Sequence, residues 1–298
     1  MTRVFVLGNA TVDVTMNVAA FPVPGETVLS ENVRRGPGGK GLNQAVAASR
    51  TGADVVFGGA VGDDEAGGFL RAFVSKEAGI DTRWIASGQP TDLSVIWVSG
   101  DGENMIVSSA DSARALDPER VPALLDGIGS GDMLLVQGNL SAKVTLAACH
   151  LAREAGARVM LNPAPLAWDA HEILPLADVL ICNLPEALAI TGASGQAAAR
   201  LLAEATGGSA ILTLGASGAL LVSEGRLTAI PAAFTDAVDT SGAGDTVAGV
   251  AAAALTLGRS AADALRLGMW AAAVTVTRPG TVSAFPSVDE MRGIFETA

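Results

Sequence analysis

The sequence has no tyrosine, two histidines and two cysteines among its 298 residues, and these absences exclude several kinds of chemistry. Without tyrosine, no phenol can serve as an acid or a base. His150 and His171 stand in no metal-ligand spacing with cysteine or acidic residues, and the G-x-S-x-G elbow of serine hydrolases is absent. Cys149 and Cys182 lie far apart in apolar surroundings, which indicates buried free thiols and a reducing compartment.

Positive charge is also scarce, with 19 Lys and Arg against 31 Asp and Glu and a net charge of −12. So acidic a chain argues against a nucleic-acid surface or an anionic membrane as a partner. No uncharged apolar run has the roughly 18 residues of a membrane span, and the apolar start Val4–Gly8 is too short for a signal peptide. We therefore predict a soluble, cytoplasmic protein with no nucleic-acid partner and no membrane partner.

What the sequence does contain is an alternation of short apolar strands and helices. Hydrophobic residues make up 49% of the chain, enough for a large core. Such alternation predicts βαβ units around a parallel sheet. We expect one α/β domain over residues 1–298, with an antiparallel pair, Ala219–Val222 and Leu227–Ile230, at the sheet edge. The predicted strands of the parallel part are Val4–Gly8, Val55–Gly58, Met133–Val136, Arg158–Leu161, Val179–Cys182 and Ala210–Leu214.

Two segments interrupt this alternation and predict a small separate β-sheet. Residues 14–36 contain β-prone pieces broken by proline and glycine, and residues 91–110 contain two apolar runs around Gly100-Asp101-Gly102. Apolar runs on either side of a D-G pair are typical of a hairpin. We expect the two segments to form one small sheet that stands off the main body and suits a lid.

The glycine-rich segment Gly36–Gly41 admits several interpretations. It matches the G-x-G-x-x-G pattern of dinucleotide sites, but no good central strand precedes it. It does not match the phosphate-binding loop G-x-x-x-x-G-K-[ST], because Gly41 follows Lys40. Gly39 and Gly41 can instead bring the backbone close to a polar ligand whose hydroxyl groups Asn43 can bind. The remaining alternative is a flexible hinge into a helix.

A second glycine-rich segment, Val238–Asp245, precedes a long Ala-rich run that predicts a buried helix. Gly242, Ala243 and Gly244 then fall at the turn into that helix, where free backbone N–H groups form a site for an anion such as a phosphate. Asp245, at the edge of this site, can take a proton from a substrate hydroxyl. The alternative is that Asp245 is an ordinary helix N-cap after a glycine turn.

Together these motifs resemble the signatures of the PfkB family of carbohydrate kinases and, within it, those of the ribokinases. Gly38-Gly39-Lys40-Gly41-Leu42-Asn43-Gln44-Ala45 is similar to the family's N-terminal signature, and Asp239–Asp245 to its C-terminal one. The resemblance covers essentially the whole chain. It implies a ribokinase-like three-layer α/β/α fold with a mostly parallel central sheet and a small β-sheet lid, which often forms a dimer interface. Further family motifs, in the family's order, are Pro24-Gly25-Glu26-Thr27, Gly62-Asp63-Asp64, Asn162-Pro163-Ala164-Pro165 and Asn183-Leu184-Pro185-Glu186.

The resemblance implies transfer of the γ-phosphoryl group of ATP to a sugar hydroxyl with Mg²⁺. Asp245 matches the catalytic base, and Gly242, Ala243 and Gly244 match the anion hole. The family's sugar-binding positions match Thr11, Asp13, Gly39, Lys40, Asn43, Asn139 and Asp245. Its nucleotide-side positions match Asn183, Glu186 (which would also hold Mg²⁺ through water), Thr213, Gly215, Gly218, Gly244 and Met269. Its positions for a monovalent cation such as K⁺ match Asp239, Ser241 and Gly280.

The sequence departs from the ribokinases at residues that would face the sugar. Thr11 stands where they usually carry Asn, and Asn139 lies in a Gln137-Gly138-Asn139 segment where they carry Glu. Met269 stands near the adenine at an often polar position, and Ala284 stands where a serine oxygen helps to hold the monovalent cation. Because exchanging one buried hydrogen-bonding group shifts substrate preference by orders of magnitude, the sequence leaves the identity of the sugar open.

The leading hypothesis is an ATP-dependent kinase for a small sugar, either ribose or a related pentose or hexose, that forms a homodimer through the lid. Within the family, a nucleoside kinase or a sugar-acid kinase is the alternative. A non-catalytic sugar- or nucleotide-binding protein on the same fold is disfavoured by Asp245 beside the glycine pair. A dinucleotide-dependent oxidoreductase would need tight NAD binding, which we predict to be absent.

Overall fold

A computed structural model describes residues 2–100 and 103–297, and its centre is a nine-stranded sheet. The strand order is β13-β12-β11-β10-β9-β8-β1-β4-β5, with β12 and β13 antiparallel to their neighbours and the other pairings parallel. The strands of this sheet are β1 (Val4–Leu7), β4 (Val55–Val61), β5 (Ile80–Ala86), β8 (Met133–Gln137), β9 (Arg158–Asn162), β10 (Val179–Asn183), β11 (Ser209–Thr213), β12 (Ala219–Ser223) and β13 (Arg226–Ile230).

Helices cover both faces of this sheet, because alternate strand side chains are buried on opposite sides. In β1, Val4 and Val6 belong to one apolar core, and Phe5 and Leu7 belong to the other. The first core includes side chains of α1 (Lys40–Ser49), α2 (Glu65–Val74), α8 (Ala243–Thr256), α9 (Ala261–Thr275) and α10 (Val288–Glu296). The second includes side chains of α3 (Asp111–Arg114), α4 (Val121–Leu124), α5 (Ala142–Glu154), α6 (Leu184–Thr191) and α7 (Gly195–Thr206). The predicted three-layer α/β/α architecture is therefore confirmed.

The order of the strands fixes where a ligand can bind. From β1, the chain continues to β4 on one side, while β8 lies on the other side and starts the second half of the sheet. In sheets of this kind, ligands bind at the carboxyl ends of the strands, beside the point where the order reverses. Here that point lies between β1 and β8, and α1 and α8 pack against each other close to it.

The predicted small sheet is present, with four strands in the order β3-β2-β6-β7. Its strands are β2 (Thr11–Asn17), β3 (Asn32–Gly38), β6 (Leu93–Val98) and β7 (Asn104–Ser108). Strands β6 and β7 pair antiparallel, as the hairpin prediction requires, although the turn residues Asp101 and Gly102 lie outside the described residues. The strands extend beyond the expected segment 14–36, because pairing starts at Thr11 and ends at Gly38.

One strand of the nine-stranded sheet, β5, was missing from the prediction. Strand β5 carries the charged residues Asp81 and Arg83, so it lacks the apolar run that marks the other strands. It is an edge strand, paired only with β4, where Trp84 packs edge-on against Phe57 with 5.2 Å between ring centroids. Within the described residues, no helix is both long enough and apolar enough to span a bilayer.

Candidate active site

The loop before α8 delivers Asp245 to the switch point of the sheet. Gly242 is the N-cap of α8 with a φ of 76°, and a side chain there would meet Phe285 and Thr281 at 2.7–2.8 Å, so glycine is required. Helix α8 begins at Ala243, and Asp245 lies in its first turn, 6% exposed. The alternative that Asp245 is the N-cap is therefore wrong.

The start of α1 surrounds the Asp245 carboxylate with donors. Asn43 Nδ2 donates to Asp245 Oδ2 at 2.9 Å, and Gln44 Nε2 donates to Oδ1 at 3.0 Å. The ammonium group of Lys40 lies 3.8 Å from Oδ1. The two glycine-rich motifs, about 200 residues apart in sequence, thus form one buried cluster in which each carboxylate oxygen is held by a side-chain amide.

Two close backbone approaches bring α1 into this position. A Cβ on Gly41 would lie 2.7 Å from the Gly8 Cα, and Gly41 N donates to Asn9 Oδ1 at 3.2 Å. Gly39, the N-cap of α1, has a φ of 90° and lies against the backbone of residues 9–11. These contacts place the turn after β1 directly against the N-terminus of α1, which is why glycines are needed there.

The partly buried carboxyl group of Asp13 faces the same site from the small sheet. Thr11 Oγ1 donates to Asp13 Oδ1 at 2.7 Å, and Ser94 Oγ lies 3.4 Å from Thr11 Oγ1. Burial raises the pKa of Asp13 to about 6, with a smaller contribution from the charge of Asp245, while hydrogen bonds from Thr11 and Ser94 act in the opposite direction. Gly38 leaves room for this carboxylate, since any side chain at that position would overlap it.

Asn139 follows β8 and stands apart from these contacts. Its Oδ1 atom is buried and has no hydrogen-bond partner among the described residues, and the same is true of Asn43 Oδ1. Buried acceptors without a partner are costly, so each indicates a missing donor. A ligand hydroxyl group would supply such a donor.

Asn183 and Glu186, at the carboxyl end of β10, form a reciprocal capping box at the start of α6. Glu186 N donates to Asn183 Oδ1 at 2.9 Å, and the Asn183 N and Nδ2 atoms donate to the Glu186 carboxylate at 3.0 and 3.1 Å. Burial raises the pKa of Glu186, the charge of Lys40 lowers it and that of Asp245 raises it. The carboxylate therefore interacts electrostatically with the Asp245 cluster.

A cavity of about 410 Å³ adjoins the N-terminus of α8. Its lining is mostly small or apolar, which suits a planar base. Met269 of α9 and Phe234, whose side chain is 97% exposed, lie at this cavity. The predicted nucleotide-side residues among its walls are Thr213, Gly215, Gly218, Gly244 and Met269, and Ala243 joins them.

Asp239 ties two loops together beside the start of α8. Its Oδ1 accepts from Ser241 N at 2.9 Å and its Oδ2 accepts from Gly280 N at 2.8 Å. Ala284, four residues after Gly280 in the sequence, is fully buried. Of the three residues predicted for a monovalent cation, Asp239 therefore contacts the other two, and both oxygens of its carboxylate already accept backbone N–H groups.

Several polar residues of the site carry no predicted role. Gln44 lies inside the N-terminal motif and contacts Asp245. Gln137 and Asn162 both contact Gln44. They end strands β8 and β9, each after at least three apolar residues, and they are register partners. A polar residue at the carboxyl end of a buried strand was the signal that could have identified both. Ser94 gave no such signal, because only the pairing of β2 with β6 brings it to Asp13.

Comparison with known proteins gives a consistent result. Residues 1–288 match the family model described as pfkB family carbohydrate kinase. A ribokinase of Haemophilus influenzae is 34% identical over 301 residues, covering 98% of this chain and 98% of the relative. The crystal structure of a Thermotoga maritima ribokinase has a TM-score of 0.87 and 28% identity, covering 99% of this chain and 100% of that one. The ribokinase of Cryptococcus neoformans in complex with ADP has a TM-score of 0.83 and 28% identity, with 100% of both chains covered.

Proposed function

This chain belongs to the PfkB family of carbohydrate kinases and is an ATP-dependent sugar kinase, and on that premise we propose that Asp245 is the base that activates the sugar hydroxyl. The observation that carries this assignment is the position of Asp245. It lies in the first turn of α8, within hydrogen-bond distance of Asn43 and Gln44, and the cavity reaches Ala243 and Gly244 at the same helix start. A sugar and a nucleotide that meet here would share one helix N-terminus.

We propose that this N-terminus stabilises the transferring phosphoryl group. Phosphoryl transfer needs alignment and charge stabilisation more than covalent help. The backbone N–H groups of Gly242, Ala243 and Gly244 supply partial positive charge, and the ammonium group of Lys40 lies 3.8 Å from Asp245. The cavity residues Thr213, Gly215, Gly218 and Met269 would hold the nucleotide.

On the sugar side, we propose that Thr11, Asp13, Gly39, Lys40, Asn43 and Asn139 hold the substrate under the small sheet, which acts as a lid. The unpartnered Asn43 and Asn139 oxygens support this, because a polyhydroxy substrate offers the donors that they lack. Ribose or a related sugar is the proposed substrate. Thr11 is shorter than the Asn that ribokinases usually carry, and Asn139 is neutral where they carry Glu. A nucleoside or a sugar acid is therefore the second candidate substrate.

Mg²⁺ and K⁺ are proposed as cofactors. Among the described residues, no group of three acidic, histidine or cysteine side chains could hold a metal. The residues present fit Mg²⁺ bound mainly through water and phosphate, since Glu186 offers a single partly buried carboxylate near Lys40. When bound, Mg²⁺ would neutralise phosphate charge. For a monovalent ion, the paired loops held by Asp239 would offer backbone carbonyl groups near Ser241 and Gly280.

The test is ATP consumption over a panel of pentoses, hexoses, 2-deoxyribose, nucleosides and sugar acids, with Mg²⁺ and K⁺ each omitted in turn. We expect Asp245→Asn to lower kcat on the best substrate by about 10²–10⁴-fold. Asp54→Asn, at an exposed position before β4, is the matched control and should leave kcat unchanged. Wild-type turnover by Asp245→Asn would refute the assigned role, and a fastest rate on a nucleoside would favour the second candidate.

A homodimer formed through the small sheet is also proposed. On the face of that sheet opposite Asp13, which also carries Arg35, four large apolar side chains are exposed: Val33, Leu93, Met105 and Val107 are 41–64% exposed. The cytoplasm is the proposed location, supported by the need for ATP and by two buried free cysteines.

A further inference from the structure

Three buried side chains form a hydrogen-bonded chain from Gln137, at the end of strand β8, to the proposed base Asp245. Gln137 Nε2 donates to Gln44 Oε1 at 2.8 Å, and Gln44 Nε2 donates to Asp245 Oδ1 at 3.0 Å. Gln44 and Gln137 are fully buried and Asp245 is 6% exposed. We call Gln137, Gln44 and Asp245 the amide relay.

The amide relay has a direction, and the charge of Asp245 sets it. In the ionised form required of a base, Asp245 can only accept, so Gln44 must present its NH₂ group to it. The Gln44 carbonyl then faces Gln137, which must present its own NH₂ group in turn. Gln137 Oε1 is left buried and, among the described residues, without a partner, beside Gly8, where any side chain would overlap it.

A second contact keeps Gln44 from rotating. Its Nε2 also donates to Asn162 Oδ1 at 3.0 Å, and Asn162 Nδ2 donates to the Ile181 carbonyl oxygen at 2.9 Å. Both amide hydrogens and the carbonyl oxygen of Gln44 are therefore engaged. A side chain held at three points loses little further entropy in the transition state and keeps its partner oriented.

We propose that Gln44 is a positioning residue for Asp245, and that Gln137 sets the orientation of the Gln44 amide. This inference rests on the proposed role of Asp245 and extends it to residues that touch no substrate. With Asn43 on Oδ2 and Gln44 on Oδ1, the carboxylate plane is fixed relative to the helix start that would hold the phosphoryl group.

The first variant is Gln44→Met, which keeps the side-chain length but removes the amide. We expect kcat to fall about 30-fold because the carboxylate can rotate, while KM for ATP and for the best sugar changes less than about 3-fold. A role in stability alone would lower the melting temperature without lowering kcat per folded molecule. Wild-type kcat in folded Gln44→Met would overturn the proposal.

Two variants of Gln137, Gln137→Glu and Gln137→Met, test the direction of the amide relay. An ionised carboxylate at 137 can only accept, so it cannot donate to the Gln44 oxygen, and a turned Gln44 amide would lose its contacts with Asp245 and Asn162. We therefore expect kcat to fall about 30-fold in Gln137→Glu, measured across the kcat–pH profile. Gln137→Met removes the donor without placing a second acceptor against the Gln44 oxygen, and its kcat should fall less than about 3-fold. Equal kcat for the two variants at every pH would overturn the assigned direction.

Asp245→Asn in the same assays separates this inference from the function on which it rests. If that variant retains the wild-type rate, the role of Asp245 itself is wrong. If it is inactive while Gln44→Met and Gln137→Glu both match the wild type in kcat and pH profile, only the amide relay is wrong. Melting temperatures of all variants identify any that fail to fold, and Gln44→Met and Gln137→Glu each test the relay independently.

Discussion

Asp13 shows how a single side chain can favour function at the expense of stability. Burial raises its pKa from 3.8 to about 6 despite hydrogen bonds from Thr11 and Ser94. A carboxyl group with a raised pKa in the folded state contributes its full stability below the unfolded-state value, and that contribution is lost as the pH rises through about 6. The ionised acceptor that a sugar hydroxyl needs is therefore the form that the fold tolerates least.

Asp13→Asn should consequently produce a more stable but poorly binding protein. The pKa change from 3.8 to about 6 corresponds to a gain of at most roughly 3 kcal/mol in the free energy of unfolding at pH 8. This gain should become small near pH 4, close to the unfolded-state pKa of 3.8, and should vanish at lower pH, where Asp13 is protonated in both states. Urea unfolding without ligands at pH 4, 6 and 8 measures it, with Asp54→Asn as an exposed control. A variant less stable than the wild type at pH 8 would contradict the assigned environment.

The same carboxyl group should make sugar affinity depend on pH. Below about pH 6, Asp13 takes up a proton and loses acceptor capacity, so the Kd for the best sugar should rise as the pH falls. Calorimetry without nucleotide between pH 5 and pH 8 measures this change. Asp13→Asn should bind weakly at every pH and show no step near pH 6. A step that persists in this variant would assign the titration to another group.

Helices α1 and α8 act as a unit, because they pack closely enough for their backbones to meet. A side chain on Gly249 in α8 would overlap the backbone carbonyl oxygen of Gln44 and would lie 2.9 Å from the Ala47 Cβ. The contact lies one turn beyond Asp245 and directly under the residues of α1 that hold it. The spacing between the helices therefore determines whether Asn43 and Gln44 reach the carboxylate.

Gly249→Ala should separate the two helices and impair both stability and turnover. We expect a loss of about 1–3 kcal/mol from overpacking and a lower kcat at nearly unchanged KM for ATP. The matched control is Gly293→Ala in α10, where a Cβ would have no atom within 4 Å. This substitution should raise the free energy of unfolding by about 0.5–1 kcal/mol. Thermal unfolding and initial rates of both variants decide the matter. A stable, fully active Gly249→Ala would show that the spacing is not critical.

The elements that sequence patterns predict well are those whose burial is continuous. Strands β1, β8 and β10 are apolar runs buried on both faces, and all three end within one residue of their predicted ends. Strand β5, which carries the charged residues Asp81 and Arg83 at the sheet edge, has no such pattern and was missed. Helix α8 begins at Ala243, earlier than expected, because Gly242 adopts a left-handed conformation that composition alone does not reveal.

The site follows the same rule. The motifs predicted Asp245, Asn43 and Lys40 as neighbours, since the family resemblance joins distant segments. The contact of Gln44 with Gln137 depends on how α1 packs beside β8, and that of Thr11 with Ser94 depends on the register of β2 with β6. No local pattern encodes either. The raised pKa of Asp13 likewise arises from burial by residues far away in sequence.

At the scale of the whole molecule, the small sheet exposes a group of large apolar side chains on one of its faces. On the face of the small sheet opposite Asp13, Val33, Leu93, Met105 and Val107 are substantially exposed. Neighbouring strands bring these side chains together, and a contiguous apolar patch of this kind marks an interaction surface. Because the opposite face carries Asp13, an interface there would fix the lid strands that hold the sugar.

Val107→Lys should therefore dissociate the proposed homodimer and weaken sugar binding. Val107 is 64% exposed in the single chain, so a lysine there should change the stability of the monomer little. The same charge buried in an interface should weaken the affinity between the subunits several-fold or more. Light scattering after size exclusion measures the mass, and initial rates give KM for the sugar.

Leu257→Lys, at an exposed position after α8, is the control and should stay dimeric with unchanged KM. A wild-type protein that is monomeric at all concentrations, or a dimeric Val107→Lys, would exclude this face as the interface. A monomeric Val107→Lys with unchanged KM would retain the interface but separate it from the lid, because the sheet would then hold Asp13 in place without a partner.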